Sequence, residues 1–132
     1  MSQQDQPGLP KFADSDHSQC QMISSLLDRV GDKWTVMVVG VLADGPVRFN
    51  AIMREVGGVS HRMLTLTLRG LERDGIVKRR AFPTIPPKVE YELTPLGQSL
   101  VEPLEQVMNW VRLNQEIIEK ARGVFDARPS TT

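Results

Sequence analysis

Between Val59 and Arg80 the chain reads VSHRMLTLTLRGLERDGIVKRR. Arg62, Arg69, Arg73, Lys78, Arg79 and Arg80 stand there against only Glu72 and Asp74. The whole chain balances 16 basic with 16 acidic residues, so this excess is local: residues 60–88 hold seven basic groups and two acidic ones. A basic segment within a neutral chain suits contact with a polyanion. The bland alternative is a solvated face with ordinary ion pairs.

Helical geometry separates these residues. At 100° per residue, Leu64, Leu68 and Leu71 fall within about 60° of one another and should point into a core. Arg62, Leu66, Arg69 and Arg73 fall on the opposite side, with Thr65 beside them. A purely solvated face rarely places a leucine between two arginines. A face meeting the DNA major groove can use both: Arg bonds guanine bidentately, Thr bonds or makes methyl contact, and Leu packs on a thymine methyl. Ser60 and His61, at the start of this helix, are placed for a phosphate or a base edge, where the helix dipole favours an anion. Capping or plain exposure is the competing reading of His61. Met63 and Thr67, at the margin of the core face, read as packing residues.

Further along, Arg79, Arg80 and Lys88 flank a hairpin tip and would reach the DNA backbone or minor groove. Cross-strand pairing with Glu90 and Glu92 is the alternative use of those charges. Arg48 stands just before the motif, in reach of a phosphate. Cys20 is the one thiol. A single cysteine excludes an internal disulfide, and with two histidines it cannot build a usual structural zinc site. No Gly-rich phosphate loop, metal-ligand cluster or Ser/His/Asp spacing is present, and a peroxidase-like Cys20 lacks a motif to activate it. The sequence therefore points to neither an enzyme nor a cofactor.

The elements that position these residues follow from periodicity. At 132 residues, 40% apolar and 24% charged, the chain suits one soluble domain with a real core. Its longest apolar run, Val36 to Ala43, is far short of the ~20 residues of a membrane span. The N-terminus lacks a secretory signal pattern. The expected setting is cytoplasmic, with no membrane partner. Residues 1–18 read as a flexible tail, 19–125 as the domain and 126–132 as a disordered tail. Met22, Ile23, Leu26, Leu27 and Val30 mark a first amphipathic helix ended by Gly31. A nearly all-apolar helix over 33–43 follows, capped by Asp32. Phe49, Ile52, Met53 and Val56 give a short third helix stopped by Gly57-Gly58. Ser60 then caps the fourth, which ends at Gly75. Two helices across a tight glycine turn are the helix-turn-helix pattern.

After Gly75 the period becomes 2, predicting strands over 77–82 and 88–93. PTIPPK between them, with three prolines, suits only a hairpin tip. Thr94 caps and Pro95 starts a last helix of about 30 residues, which Pro103 should kink or restart. Its apolar positions, Leu96, Leu100, Leu104, Val107, Trp110, Val111, Leu113, Ile117 and Val124, exceed what so small a domain can cover. With the first helix it is read as a dimerisation surface; folding back on its own core is the alternative. The fold class is thus α+β, mainly α: a winged helix-turn-helix flanked by N- and C-terminal dimerisation helices.

GDKWTVMVVGVLADGPVRFNAIM, GGVSHRMLTLTLRGLERDGIVKRR and PTIPPKVEYELTPLGQSL together resemble the HxlR family of bacterial transcription regulators, relatives of the MarR regulators. The likeness spans about residues 20–112. It implies a homodimer on a roughly two-fold symmetric double-stranded DNA operator, with half-sites about one helical turn apart. Repression is the implied sign of regulation. Arg62, Thr65 and their neighbours would then lie in the recognition helix, and Arg79, Arg80 and Lys88 on the wing. In several relatives a cysteine just before the first helix, usually followed by proline, senses oxidants, quinones or electrophiles. Cys20 holds that position, although Gln21 follows it. An oxidant or small-molecule effector is the further partner the resemblance allows. A winged helix used only for protein contact is the alternative function, and the Arg62/Arg69/Arg73 stripe argues against it.

Overall fold

A computed structural model describes residues 17–129. Its elements run α1 (His17–Val30), α2 (Lys33–Leu42), β1 (Val47–Arg48), α3 (Phe49–Val56), α4 (His61–Arg73), β2 (Val77–Phe82), β3 (Lys88–Leu93) and α5 (Pro95–Asp126). The sheet is antiparallel in the order β1-β3-β2. This is the winged helix-turn-helix that the periodicities predict. The expected tail over 1–18 lies outside the described residues except for its last two, which open α1. Of the expected C-terminal tail, 130–132 lie outside them and Asp126 closes α5.

Local chemistry sets most boundaries. Asp32 accepts a hydrogen bond from the Thr35 amide at 3.2 Å, Ser60 from the Met63 amide at 3.0 Å, and Thr94 from the Gly97 amide at 3.1 Å. Each satisfies an N–H that the first turn would otherwise leave unpaired. Gly57 and Gly58 take φ of +71° and +74°, a region that costs other residues a steric clash. The turn they make swings Val59 into the core and aims α4 across α3.

The core lies between α2, α3, α4 and the sheet. Val38, Val39 and Leu42 of α2 meet Ile52 of α3 and Leu64, Leu68 and Leu71 of α4, all essentially shut off from water; Val77, Tyr91 and Leu93 close it from the strands. Only the first turns of α5 join, through Gly97, Leu100, Val101 and Leu104. Thr94 fastens that junction, its hydroxyl donating to the Gly75 carbonyl at 2.6 Å while its amide bonds the Ile76 carbonyl at 3.0 Å. Gly97 rides directly on the Ile76 carbonyl, where a Cβ would collide.

Four details depart from the sequence reading. α1 begins at His17, so Cys20 lies in its first turn rather than ahead of it. α5 runs unbroken through Pro103, with neither a break nor a restart. β1 adds a third strand, two residues long, with Val47 opposite Tyr91 and Arg48 opposite Glu90. Met63, read as packing, is exposed, whereas Thr67 is buried as expected.

Arg29 joins α1 to the end of α4. Arg29 Nε donates to the Asp74 carboxylate at 2.8 Å, and its guanidinium covers Gly70, leaving no room for a Cβ there.

Two stability outcomes follow. Gly97→Ala should lower unfolding free energy by about 1–3 kcal/mol in urea titrations, because its methyl meets a backbone carbonyl that cannot swing aside. Gly70→Ala should destabilise the wild type by expelling Arg29. In an Arg29→Ala background it should instead stabilise by up to about 1 kcal/mol, the ordinary helix preference for alanine.

Candidate nucleic-acid interface

The two-faced character of α4 is realised in full. Leu64, Leu68 and Leu71 anchor it from behind, and on the other side Arg62, Arg69 and Arg73 stand exposed around Leu66, half open to solvent. Among the described residues, none of these three arginines has a carboxylate partner. Thr65 is half-buried beside them and its hydroxyl donates to the His61 carbonyl at 2.8 Å. That bond leaves the hydroxyl oxygen free to accept. Ser60 is occupied as the N-cap. The His61 ring leans on Phe49 of α3, centroids 4.9 Å apart, and is exposed on its other side.

The hairpin divides its charges between two faces. Arg80 reaches diagonally to Glu92 at 2.8 Å and Lys78 lies 3.8 Å from the same carboxylate. Lys88 lies 3.6 Å from Glu90 and over the Phe82 ring at 4.5 Å. The cross-strand pairing considered is therefore present for Arg80, whereas Lys88 pairs along its own strand; at this exposure each pair is worth only about 0–1 kcal/mol, and DNA phosphates could compete for the cations. Arg79, opposite Tyr91 on the other face, has no such partner among the described residues.

Arg79 instead borders a cleft of about 900 Å³ between the hairpin, the start of α3 and the start of α4. Arg48, Arg54, His61 and Lys88 share its walls, and no carboxylate does. Arg54 was not singled out from sequence. Its signal was weak, a lone arginine in the last turn of α3, and the hairpin cations Arg79 and Lys88 that share its cleft come from well beyond α4 in sequence. Arg48 opens α3 as its N-cap and supplies no side-chain cap, unlike Asp32, Ser60 and Thr94. Cys20 lies apart from this surface, half-buried on α1. Among the described residues no cluster of His, Cys, Asp or Glu could hold a metal, and no helix is long and apolar enough to cross a membrane.

A basic, unpaired recognition face on a helix-turn-helix, next to a cationic cleft, is an arrangement for holding DNA. An HxlR-like helix-turn-helix model matches residues 29–119. The chain belongs to the HxlR family. Its members are transcriptional regulators built around a helix-turn-helix. The HTH-type transcriptional regulator YtfH of Escherichia coli K12 is 42% identical over 89 residues, covering 67% of this chain and 71% of that protein. Among solved structures, transcriptional regulator ytfH from Salmonella typhimurium superposes with a TM-score of 0.70 at 37% identity, covering 76% of this chain and 89% of that one. The redox regulator HypR in its reduced form gives 0.68 at 40% identity, covering 74% and 97%. This chain is accordingly a transcriptional regulator with a helix-turn-helix DNA-binding domain.

Ser60 offers a test that separates capping from DNA contact. Ser60→Ala should cost about 1 kcal/mol of stability. Ser60→Asp should keep the cap and the stability, yet weaken DNA binding by placing a carboxylate where a phosphate approaches. Denaturant titration and fluorescence anisotropy on labelled duplex read the two effects independently.

Proposed function

We propose that this regulator is a homodimeric repressor that binds an inverted-repeat operator, one α4 entering the major groove at each half-site. The observation that carries the reading is the unpaired Arg62–Leu66–Arg69–Arg73 face, held outward by leucines that cannot leave the core. Arg62, Thr65, Leu66 and Arg69 are assigned to base edges, with Arg73 towards the backbone. Ser60, His61, Arg48 and Arg79 are assigned to phosphates, and Arg80 and Lys88 join them on exchanging a carboxylate for a phosphate. A module used only for protein contact would have little use for so many uncompensated cations.

The dimer reading rests on what α1 and α5 leave uncovered. Trp110, Leu113, Ile117, Val124 and Phe125 of α5 are each more than half exposed, as are Met22 and Leu27 of α1. Contiguous apolar surface on this scale marks an association site. A second copy supplies the matching apolar surface, and two-fold pairing would set two copies of α4 on one side of the assembly. HypR is named as a redox regulator and was solved in reduced and oxidized forms. By that analogy Cys20, on α1, is assigned as the site where an oxidant or electrophile releases DNA.

Anisotropy on operator duplex over a salt series tests the DNA assignment. Affinity should fall steeply as salt rises. Arg62→Ala should cost about 1–3 kcal/mol on operator, while Arg79→Ala should weaken binding uniformly and reduce the salt slope by about one. Wild type that fails to bind DNA at low salt, with or without reductant, sinks the reading. For the effector, diamide should weaken wild type and leave Cys20→Ser unaffected. If both keep their affinity after diamide and after quinone, Cys20 has no sensing role.

A further inference from the structure

The hairpin tip differs from the rest of the DNA-facing surface. From Pro83 to Pro87 it carries no charge. The nearest cations are drawn back to its base, Lys88 by Glu90 and the Phe82 ring and Arg80 by Glu92. What the tip presents is Ile85, fully exposed and the most exposed of the large apolar side chains in the described residues. Pro83, Pro86 and Pro87 surround it, and the Thr84 hydroxyl donates to the Pro86 carbonyl at 2.8 Å, closing the loop beneath it. Exposing an isoleucine has a solvation cost, and prolines lower the entropy lost in holding it out. Ile85 is therefore a stiff apolar projection that nothing among the described residues covers.

Its location indicates what covers it. Ile85 and Pro86 border the same cleft as Arg48, Arg54, His61 and Arg79. His61 begins α4, so a DNA strand whose phosphates enter this cleft has the major groove on the α4 side. The next groove across that strand, on the side of the tip, is the minor groove. Building on the DNA-binding reading above, we propose that Arg48, Arg54 and Arg79 seat the backbone strand while Ile85 enters the adjacent minor groove as an apolar wedge. The wing then reads sequence by deformability. An apolar side chain pressed against a base step partly unstacks it, and pyrimidine–purine steps yield most easily. Arg54 becomes a phosphate contact, and the recognition helix ceases to be the sole source of specificity.

The test uses full-length protein and an operator selected with wild type, then varied at the base steps flanking each half-site. Affinity is read by anisotropy and DNA bending by energy transfer between the duplex ends. Wild type should prefer a TA step to an AA step there by about tenfold and bend the duplex. Ile85→Ala should lose both the preference and the bend, bind about tenfold more weakly, and unfold at the wild-type temperature because the side chain touches no core. Arg54→Ala should weaken all duplexes alike. If Ile85→Ala keeps wild-type affinity, step preference and bend while Arg62→Ala loses operator binding, the DNA reading stands and the wedge is wrong. If Ile85→Ala matches wild type on DNA but no longer affects RNA polymerase holoenzyme on the same duplex, the tip serves a protein contact and the proposal is overturned. Wild type without DNA affinity removes both readings together.

Discussion

The attachment of α4 is the constraint on which the rest depends. Leu64, Leu68 and Leu71 are packed against Val38, Val39 and Leu42 of α2 and Ile52 of α3, with essentially no exposure. Burying a leucine is worth about 1.5–3 kcal/mol, so rotating α4 enough to hide its arginines would forfeit a large part of the stability of so small a domain. The arginine face is outward because the leucine face cannot be anywhere else. The Gly57-Gly58 turn sets the angle of entry, Ser60 caps the start, and the Arg29–Asp74 ion pair holds the far end to α1.

From that seat the other parts acquire their places. The sheet carries the hairpin to the same side of the molecule as the start of α4, and β1 ties the beginning of α3 to the sheet through the Arg48–Glu90 register. Three segments, β1 with α3, the start of α4 and β2, thereby bring Arg48, Arg54, His61 and Arg79 to one cleft. α5 starts against the core at Gly97 and then leaves it, presenting large apolar residues that the described residues leave more than half exposed. The exposed stretch of α5 and the α4/wing surface thus have opposite characters, one carrying large apolar side chains and the other cations.

Much of this was legible in the sequence because it is local. The spacing of Leu64, Leu68 and Leu71, the caps Asp32, Ser60 and Thr94, and the change of period after Gly75 each act within a few residues. The missed features are those that need the third dimension. Two residues of β1 have no periodicity to detect, and Arg54 gains meaning only when the fold brings the hairpin with Arg79 beside it. The cross-strand competition for Arg80 was foreseeable, but not that Arg80 would choose the diagonal Glu92 over its direct partner Glu90, nor that Lys88 would pair with Glu90 along its own strand. Pro103 signals a break by itself. The helix nevertheless continues through it: the lost hydrogen bond and the clash of the ring with the carbonyl one turn back are local, and the turns on either side carry the helix past them.

The central claim is that two copies of α4 read one DNA site together. Selection of bound duplexes from a random-sequence pool, followed by sequencing, tests it most directly. The account predicts an enriched inverted repeat whose half-sites are centred about one helical turn, ~10 base pairs, apart. Enrichment of a single unrepeated motif, or none above the starting pool, would contradict it.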